Sequence, residues 1–151
     1  MQSVTTGMNE ASNAAPAGTA QHLAFSIGEE SYAIDISHVT EIVGLQKCTE
    51  VPDVPHHIRG VINLRGKVIP IMDVRKRFGM PTREDDHRTC IVVVELVGEQ
   101  VGLVVDRVQE VVDVPEGGQA RTDQGSSYVR KIAHVNDEAL IVLDTARVLG
   151  V

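Results

Sequence analysis

The sequence repeats itself, and this repeat limits the folds that the chain can adopt. Residues 58–79 align without a gap with residues 129–150, and nine of the aligned pairs match one apolar residue with another. Three further pairs are identical: Arg59 with Arg130, Asp73 with Asp144, and Gly79 with Gly150. Upstream, Gly28-Glu29 matches Gly98-Glu99, and HVTEIV at 38–43 matches RVQEVV at 107–112. The body of the protein therefore consists of two copies of one unit of about 70 residues.

Each copy favours short β-strands. Aromatic residues make up only 3% of the chain and Trp is absent, so the core must be built from Val, Ile and Leu, which favour strands. About five short strands per copy are too few for an open sandwich, whereas a small closed barrel leaves no strand edge exposed. We predict an all-β fold of two five-stranded barrels related by internal duplication, with a groove between them. Short helices are expected at 74–78 and 145–149, with Asp73 and Asp144 as their N-caps.

Composition along the chain predicts the boundaries. Residues 1–20 are of low complexity and are expected to form a disordered tail. Residues 82–88 are polar and charged, which is typical of a linker. The first barrel is therefore expected at about 21–82 and the second at about 88–151.

The hairpin Arg59–Asp73 is the segment in which the two copies differ most informatively. Its apolar strands reverse at Arg65-Gly66, where Gly66 supplies the backbone freedom of a tight turn. The equivalent of Arg65 in the second copy is Asn136, an ordinary turn residue. An arginine at this tip suggests a side chain held out for binding. Glu41 and Glu110, by contrast, agree between the copies, and a shared role at the entry of a strand explains them equally well.

Charge and motif content exclude several classes of function. The net charge is −7 and stacking aromatics are scarce, which disfavours nucleic-acid binding and an RNA-binding barrel. Residues 59–88 nevertheless hold eight of the 14 Lys and Arg. That basic island would suit an acidic partner, although solvated loop charges are the simpler interpretation for Arg75, Lys76 and Arg77.

No arrangement typical of a catalytic or cofactor site occurs in the sequence. The six His have no spacing of a metal site, and the phosphate-loop, dinucleotide and serine-hydrolase patterns are absent. We therefore expect no enzyme activity, no metal and no cofactor. A binding module follows by default, with a barrel that binds a small ligand as a weaker alternative.

The compartment is expected to be the cytoplasm. Cys48 and Cys90 lie in apolar runs without redox or metal spacing, as in a reduced protein. The first 46 residues contain no Lys or Arg, unlike a secretory signal, and no apolar run has the length of a membrane span. No direct insertion into a membrane is expected.

Four stretches resemble the CheW family of bacterial chemotaxis coupling proteins. They are YAIDISHVTEIV (32–43), VPDVPHHIRG (51–60), GVINLRGKVIPIMDVRKRFG (60–79) and VGLVVDRVQEVVDV (101–114). The resemblance implies a double SH3-like barrel without enzymatic activity. It also implies an adaptor that joins the cytoplasmic hairpin tip of methyl-accepting chemoreceptors to the regulatory domain of a CheA-type histidine kinase, in arrays at the membrane. A CheW-like adaptor for a non-chemotaxis receptor–kinase cluster remains the alternative.

The same resemblance suggests which residues bind. It implies that Val39, Glu41, Asn63, Arg65 and Val108 lie at or near the surfaces for receptor and kinase. Gly60, Gly66 and Gly102 would shape the backbone there rather than make contacts, and Val39 fits a core position equally well. The receptor hairpin is expected to lie in the groove between the barrels, with Val39 on its floor and Arg65 at its rim.

Overall fold

A computed structural model of the chain describes residues 18–117 and 128–151. Ten strands account for most of this part: β1 (Thr19–Ile27), β2 (Glu30–Asp35), β3 (Val39–Gly44), β4 (Ile58–Leu64), β5 (Lys67–Asp73), β6 (Cys90–Leu96), β7 (Glu99–Val105), β8 (Arg107–Pro115), β9 (Val129–Val135) and β10 (Glu138–Leu143). The helical elements are a 3-10 turn (Ile36–His38), α1 (Val74–Arg77) and α2 (Thr145–Leu149). The all-β prediction is confirmed.

Most of the expected disordered tail, residues 1–17, lies outside the described residues. Its last residues were assigned wrongly, because β1 begins at Thr19. Thr19 pairs with Pro115, and Ala20 pairs with Val114.

The strands form two five-stranded sheets. Barrel 1 has the order β3-β6-β7-β5-β4, and barrel 2 has the order β9-β10-β2-β1-β8. Neighbouring strands are antiparallel except for β5 with β7 and β10 with β2, which are parallel. Barrel 1 closes through an isolated bridge between Thr49 and Val61, and the end strands of barrel 2, β8 and β9, lie in contact.

The two copies exchange their first hairpins, so the predicted division at about 82–88 is wrong. The hairpin β1–β2 of the first copy belongs to barrel 2, and the hairpin β6–β7 of the second copy belongs to barrel 1. Each barrel thus combines two strands of one copy with three of the other. The sequence does not distinguish this arrangement from self-closed copies, because equivalent strands in either copy present similar apolar faces.

Three apolar cores hold this arrangement together. One fills barrel 1 and includes Ile62, Ile71 and Ile91. A second, of smaller residues such as Ala24 and Ala33, fills barrel 2. The third lies between the barrels and takes side chains from β1, β2, β5, β6 and β7. The expected groove is therefore filled, over most of the inter-barrel contact, by packed apolar side chains.

The four Phe and Tyr of the chain pack in series, with Phe25 and Tyr32 inside this third core and Phe78 and Tyr128 packed against it. Ring centroids lie 6.1 Å apart for Phe25 and Tyr32, 5.9 Å for Tyr32 and Phe78, and 4.9 Å for Phe78 and Tyr128. Arg77 stacks over the Tyr128 ring at 5.0 Å. Its guanidinium also donates to the carbonyls of Val148 (3.0 Å) and Arg147 (3.1 Å), at the end of α2. This row ties the helix of one copy to the helix of the other.

Both predicted N-caps are present. The Asp73 carboxylate accepts from the Lys76 N–H, and the Asp144 carboxylate accepts from the Arg147 N–H, each at 3.2 Å. Helix capping accounts for the identity of these two aspartates in the repeat.

Asp106 occupies the point where the chain passes from barrel 1 into barrel 2. Its carboxylate accepts from the Gly28 N–H (2.7 Å), from Arg75 Nη2 (2.6 Å) and from Arg83 Nη1 (3.0 Å). These donors come from the β1–β2 turn of barrel 2, from α1 and from the linker. The carboxylate of Asp106 therefore connects the two barrels.

Candidate partner-binding surface

Glu41 and Arg65 meet at one end of barrel 1. Arg65 (φ 54°) and Gly66 (φ 83°) form the two-residue turn between β4 and β5, with both residues at positive φ, as a type I′ turn requires. The Asn63 side chain accepts from the Gly66 N–H at 3.1 Å and so holds the turn. The Arg65 side chain is 73% exposed and forms an ion pair with Glu41 on β3. The structure therefore brings four of the eight candidate residues together.

The ion pair keeps both groups charged. The hydrogen bond from Arg65 lowers the pKa of Glu41, and the same bond raises the pKa of Arg65. The tip thus presents a cation to solvent, with the paired carboxylate of Glu41 beside it on β3.

The matching end of barrel 2 has the same backbone but different side chains. Asn136 (φ 53°) and Asp137 (φ 65°) form the turn between β9 and β10. Glu110 and Asn136 line one small cleft of about 250 Å³ there. Each glutamate thus lies near the hairpin tip of its own barrel. Among the described residues, an arginine pairs with Glu41 and none pairs with Glu110.

Val39 and Val108 occupy equivalent positions at the edge of the inter-barrel core. Both are half-buried and pack against it. The core interpretation of Val39 therefore holds in part, and each valine offers a partner only its exposed side.

Gly60 and Gly102 lie where a side chain would clash with neighbouring atoms. A Cβ on Gly60 (φ 149°) would lie 2.3 Å from the Thr49 carbonyl oxygen, where the closing bridge of barrel 1 forms. A Cβ on Gly102 would lie 2.7 Å from both Ile71 Cδ1 and Ile91 Cγ2, inside barrel 1. Gly102 therefore faces the core of barrel 1 and not the core between the barrels.

The basic island proves to be engaged largely within the protein. Arg59 pairs with Asp73 and Asp85, Arg75 with Asp106, and Arg83 with Asp86 and Asp106. The solvated interpretation is wrong for Arg75, whose side chain is only 15% exposed, and for Arg77, which binds α2. The partners of these two arginines, Asp106 and Val148, lie 31 and 71 residues away in sequence, so spacing alone could not reveal them.

Other kinds of site find little support in residues 18–117 and 128–151. No group of three His, Cys, Asp or Glu in this part could hold a metal ion. No helix within it is long and apolar enough to cross a membrane. The cleft of about 830 Å³ beside α1 has a balanced charge, because its lining includes three cations and three acids: Lys47, Arg59, Lys76, Glu50, Asp73 and Asp85.

Sequence reasoning missed two exposed valines. Val68 is 66% exposed and Val97 is 84% exposed. Val97 stands in the β6–β7 turn at φ 52°. The apolar Val97 directly before Gly98, at the end of a predicted strand, was a signal in the sequence that could have revealed it.

Comparison with known proteins gives a consistent assignment. A family model described as a CheW-like domain matches residues 21–151. The chemotaxis protein CheW of Bacillus subtilis is 35% identical over 135 residues, covering 84% of this chain and 85% of that protein. The chemotaxis protein CheW of Treponema pallidum is 34% identical over 133 residues, covering 82% and 78%. The crystal structure of the scaffolding protein TtCheW from Thermoanaerobacter tengcongensis aligns with a TM-score of 0.77 at 35% identity, covering 83% of this chain and 89% of that one.

Proposed function

The chain belongs to the CheW family of chemotaxis coupling proteins, and we propose that it joins the cytoplasmic hairpin tip of chemoreceptors to the regulatory domain of a CheA-type histidine kinase. In this role it is a non-enzymatic adaptor. It works in the cytoplasm and is recruited to receptor arrays at the membrane.

One observation carries the assignment of the binding surface. The two barrels share a backbone at their hairpin tips, yet only barrel 1 carries an exposed arginine there, beside Glu41. Folding alone does not require this difference, because Asn136 adopts the same turn in barrel 2. We infer that Arg65 and Glu41 serve recognition, with Asn63 and Gly66 holding the tip in shape.

Electrostatic recognition at this tip acts mainly on specificity. Arg65 is exposed, so its pairing with a partner carboxylate contributes little affinity by itself. A reversed charge at the tip would repel that carboxylate and disfavour the complex. The half-buried Val39 and Val108 would add apolar contact at the edge of the inter-barrel core, where a receptor helix lies with its apolar side inward.

Rigid connection of the barrels suits a coupling role. The Asp106 cluster and the aromatic row hold the barrels in one orientation, so partners bound to separate surfaces would keep a fixed relative position. In an array, many such weak contacts act together.

A pull-down with matched charge variants tests the proposal. Purified protein is incubated with the regulatory domain of its kinase and, separately, with a receptor cytoplasmic fragment. Arg65→Glu is compared with Asn136→Glu, which places the same charge at the equivalent tip of barrel 2. We expect the unmodified protein and Asn136→Glu to bind both partners, and Arg65→Glu to lose at least one.

Each outcome has a definite meaning. Equal binding by the two variants would remove Arg65 from the surface. Absence of binding to both partners by the well-folded unmodified protein would contradict the chemotaxis role and favour an adaptor for another receptor–kinase cluster. Foci of a fluorescent fusion at receptor clusters would support recruitment to arrays.

A further inference from the structure

Val97 occupies a backbone conformation that valine disfavours. The strands β6 and β7 are joined by the two-residue turn Val97-Gly98, with φ of 52° and 79°. Such a turn favours Asn, Asp or Gly at its first position, whereas a β-branched residue in this region is a true outlier. The Val97 side chain is also 84% exposed. Val97 therefore strains the turn and gains no burial in return. The stability of the free protein does not explain why a valine occupies this position.

A cleft with a second exposed valine adjoins this turn. Strands β5 and β7 pair only from Ile71 and Gly102 onward, so their preceding residues diverge. The resulting cleft of about 430 Å³ is lined by Val68, Pro70, Gly98, Glu95 and Glu99, among others. Val68 is 66% exposed, and Pro70 has no N–H to leave unpaired on this open side.

The position and charge of this cleft indicate its occupant. We propose that the β5–β7 corner docks an apolar segment of a partner protein flanked by lysine or arginine. The corner consists of the cleft residues Val68 and Pro70, of Val97 in the adjoining turn, and of Glu95 and Glu99 at the border. Two acids face one cation, Lys67, in the cleft, so a basic border on the partner is complementary. Lys67 and Val68 directly follow the Arg65-Gly66 tip, which makes the corner continuous with the candidate surface.

This inference rests on the proposed function for the choice of probes, which are the kinase regulatory domain and the receptor cytoplasmic fragment. Calorimetric titration measures the affinity of each for the unmodified protein and for Val97→Asn, Val68→Ser and the double variant Glu95→Lys/Glu99→Lys. Val54→Asn is the matched control, because Val54 is also an exposed loop valine but lies outside the corner. Thermal unfolding is measured for every variant.

We expect Val97→Asn to retain or increase thermal stability but to bind one partner more weakly. Asparagine tolerates the turn, so Val97→Asn should unfold at the same or a higher temperature than the unmodified protein. Its affinity for one of the two partners should nevertheless fall about tenfold or more, and Val68→Ser and the double charge variant should weaken the same partner. Val54→Asn should bind both partners normally.

Several outcomes would overturn the inference. One is binding of both partners by Val97→Asn and Val68→Ser within twofold of the unmodified protein. Another is a fall in affinity that occurs only in variants with a lower unfolding temperature, because the loss of binding would then result from destabilisation. If the unmodified protein binds neither partner, the proposed function fails, and the docking inference fails with it.

Discussion

Replacing Asp106 by asparagine tests whether one carboxylate unites the two barrels. The side chains of Asp106 and Arg75 are only 14% and 15% exposed, at 2.6 Å from one another. Removing one member of a buried pair costs about 3–5 kcal/mol. The remaining exposure, and Arg83 at 42%, reduce this figure, so we expect a loss of about 2–3 kcal/mol at pH 7. At about 2–4 °C per kcal/mol for a chain of this size, unfolding should shift downward by roughly 5–10 °C.

The same substitution makes a prediction about pH. Burial raises the pKa of Asp106, but hydrogen bonds from Arg75 and the Gly28 N–H outweigh burial, and the net pKa is lowered. A carboxyl with a lowered pKa contributes stability that is present above its unfolded pKa, about 3.9, and is lost as the pH falls through the folded value. The difference between the two proteins should therefore shrink as the pH falls below about 4.

Urea unfolding followed by far-UV circular dichroism measures both effects, at pH 7 and near pH 3. Asp113→Asn serves as the control, since Asp113 is an exposed carboxylate on β8 and should change little. A loss below about 1 kcal/mol at pH 7, within the range of exposed pairs, would contradict the anchoring role. A loss of equal size at both pH values would show that the charge of Asp106 is not responsible.

Three further substitutions test the packing described above, each by thermal unfolding. Gly60→Ala places a Cβ 2.3 Å from the Thr49 carbonyl oxygen and should cost roughly 2–4 kcal/mol by breaking the closing bridge of barrel 1; an unchanged midpoint would contradict this. Gly102→Ala should cost about 1–3 kcal/mol by overpacking against Ile71 and Ile91, and a stabilised variant would show that this core has spare room. Asp144→Ala should cost about 1 kcal/mol as the loss of an N-cap, whereas Asp144→Asn or Asp144→Ser should retain most of the stability.

Features that depend on nearby residues were predictable from the sequence. The repeat located both short helices and their caps, Asp73 and Asp144, because capping needs only residues three positions apart. It also located the two hairpin tips, because a reversal between apolar strands has few solutions. The difference between Arg65 and Asn136 was visible for the same reason, once the two copies had been aligned.

Features that depend on distant residues were not predictable. Strands of the two copies are nearly equivalent, so apolar patterning cannot tell which copy supplies the neighbour of β5 or β10. The salt bridge of Arg75 needs Asp106, which lies in the second copy. The cleft beside Val97 depends on the divergence of β5 from β7, strands that come from different copies, so no local pattern encodes it.

The exchange of hairpins has a consequence for how the protein is made. Synthesis proceeds from the N-terminus at about 5–20 residues per second. The β1–β2 hairpin leaves the ribosome before the other eight described strands, and its neighbours β8 and β10 emerge roughly ten seconds later. Until then Ala24 and Ala33, both buried in the core of barrel 2 in the finished protein, remain uncovered on a hairpin with two open edges. Folding of barrel 2 is therefore completed only after β10 has been translated, and until then the open edges of the nascent hairpin favour aggregation.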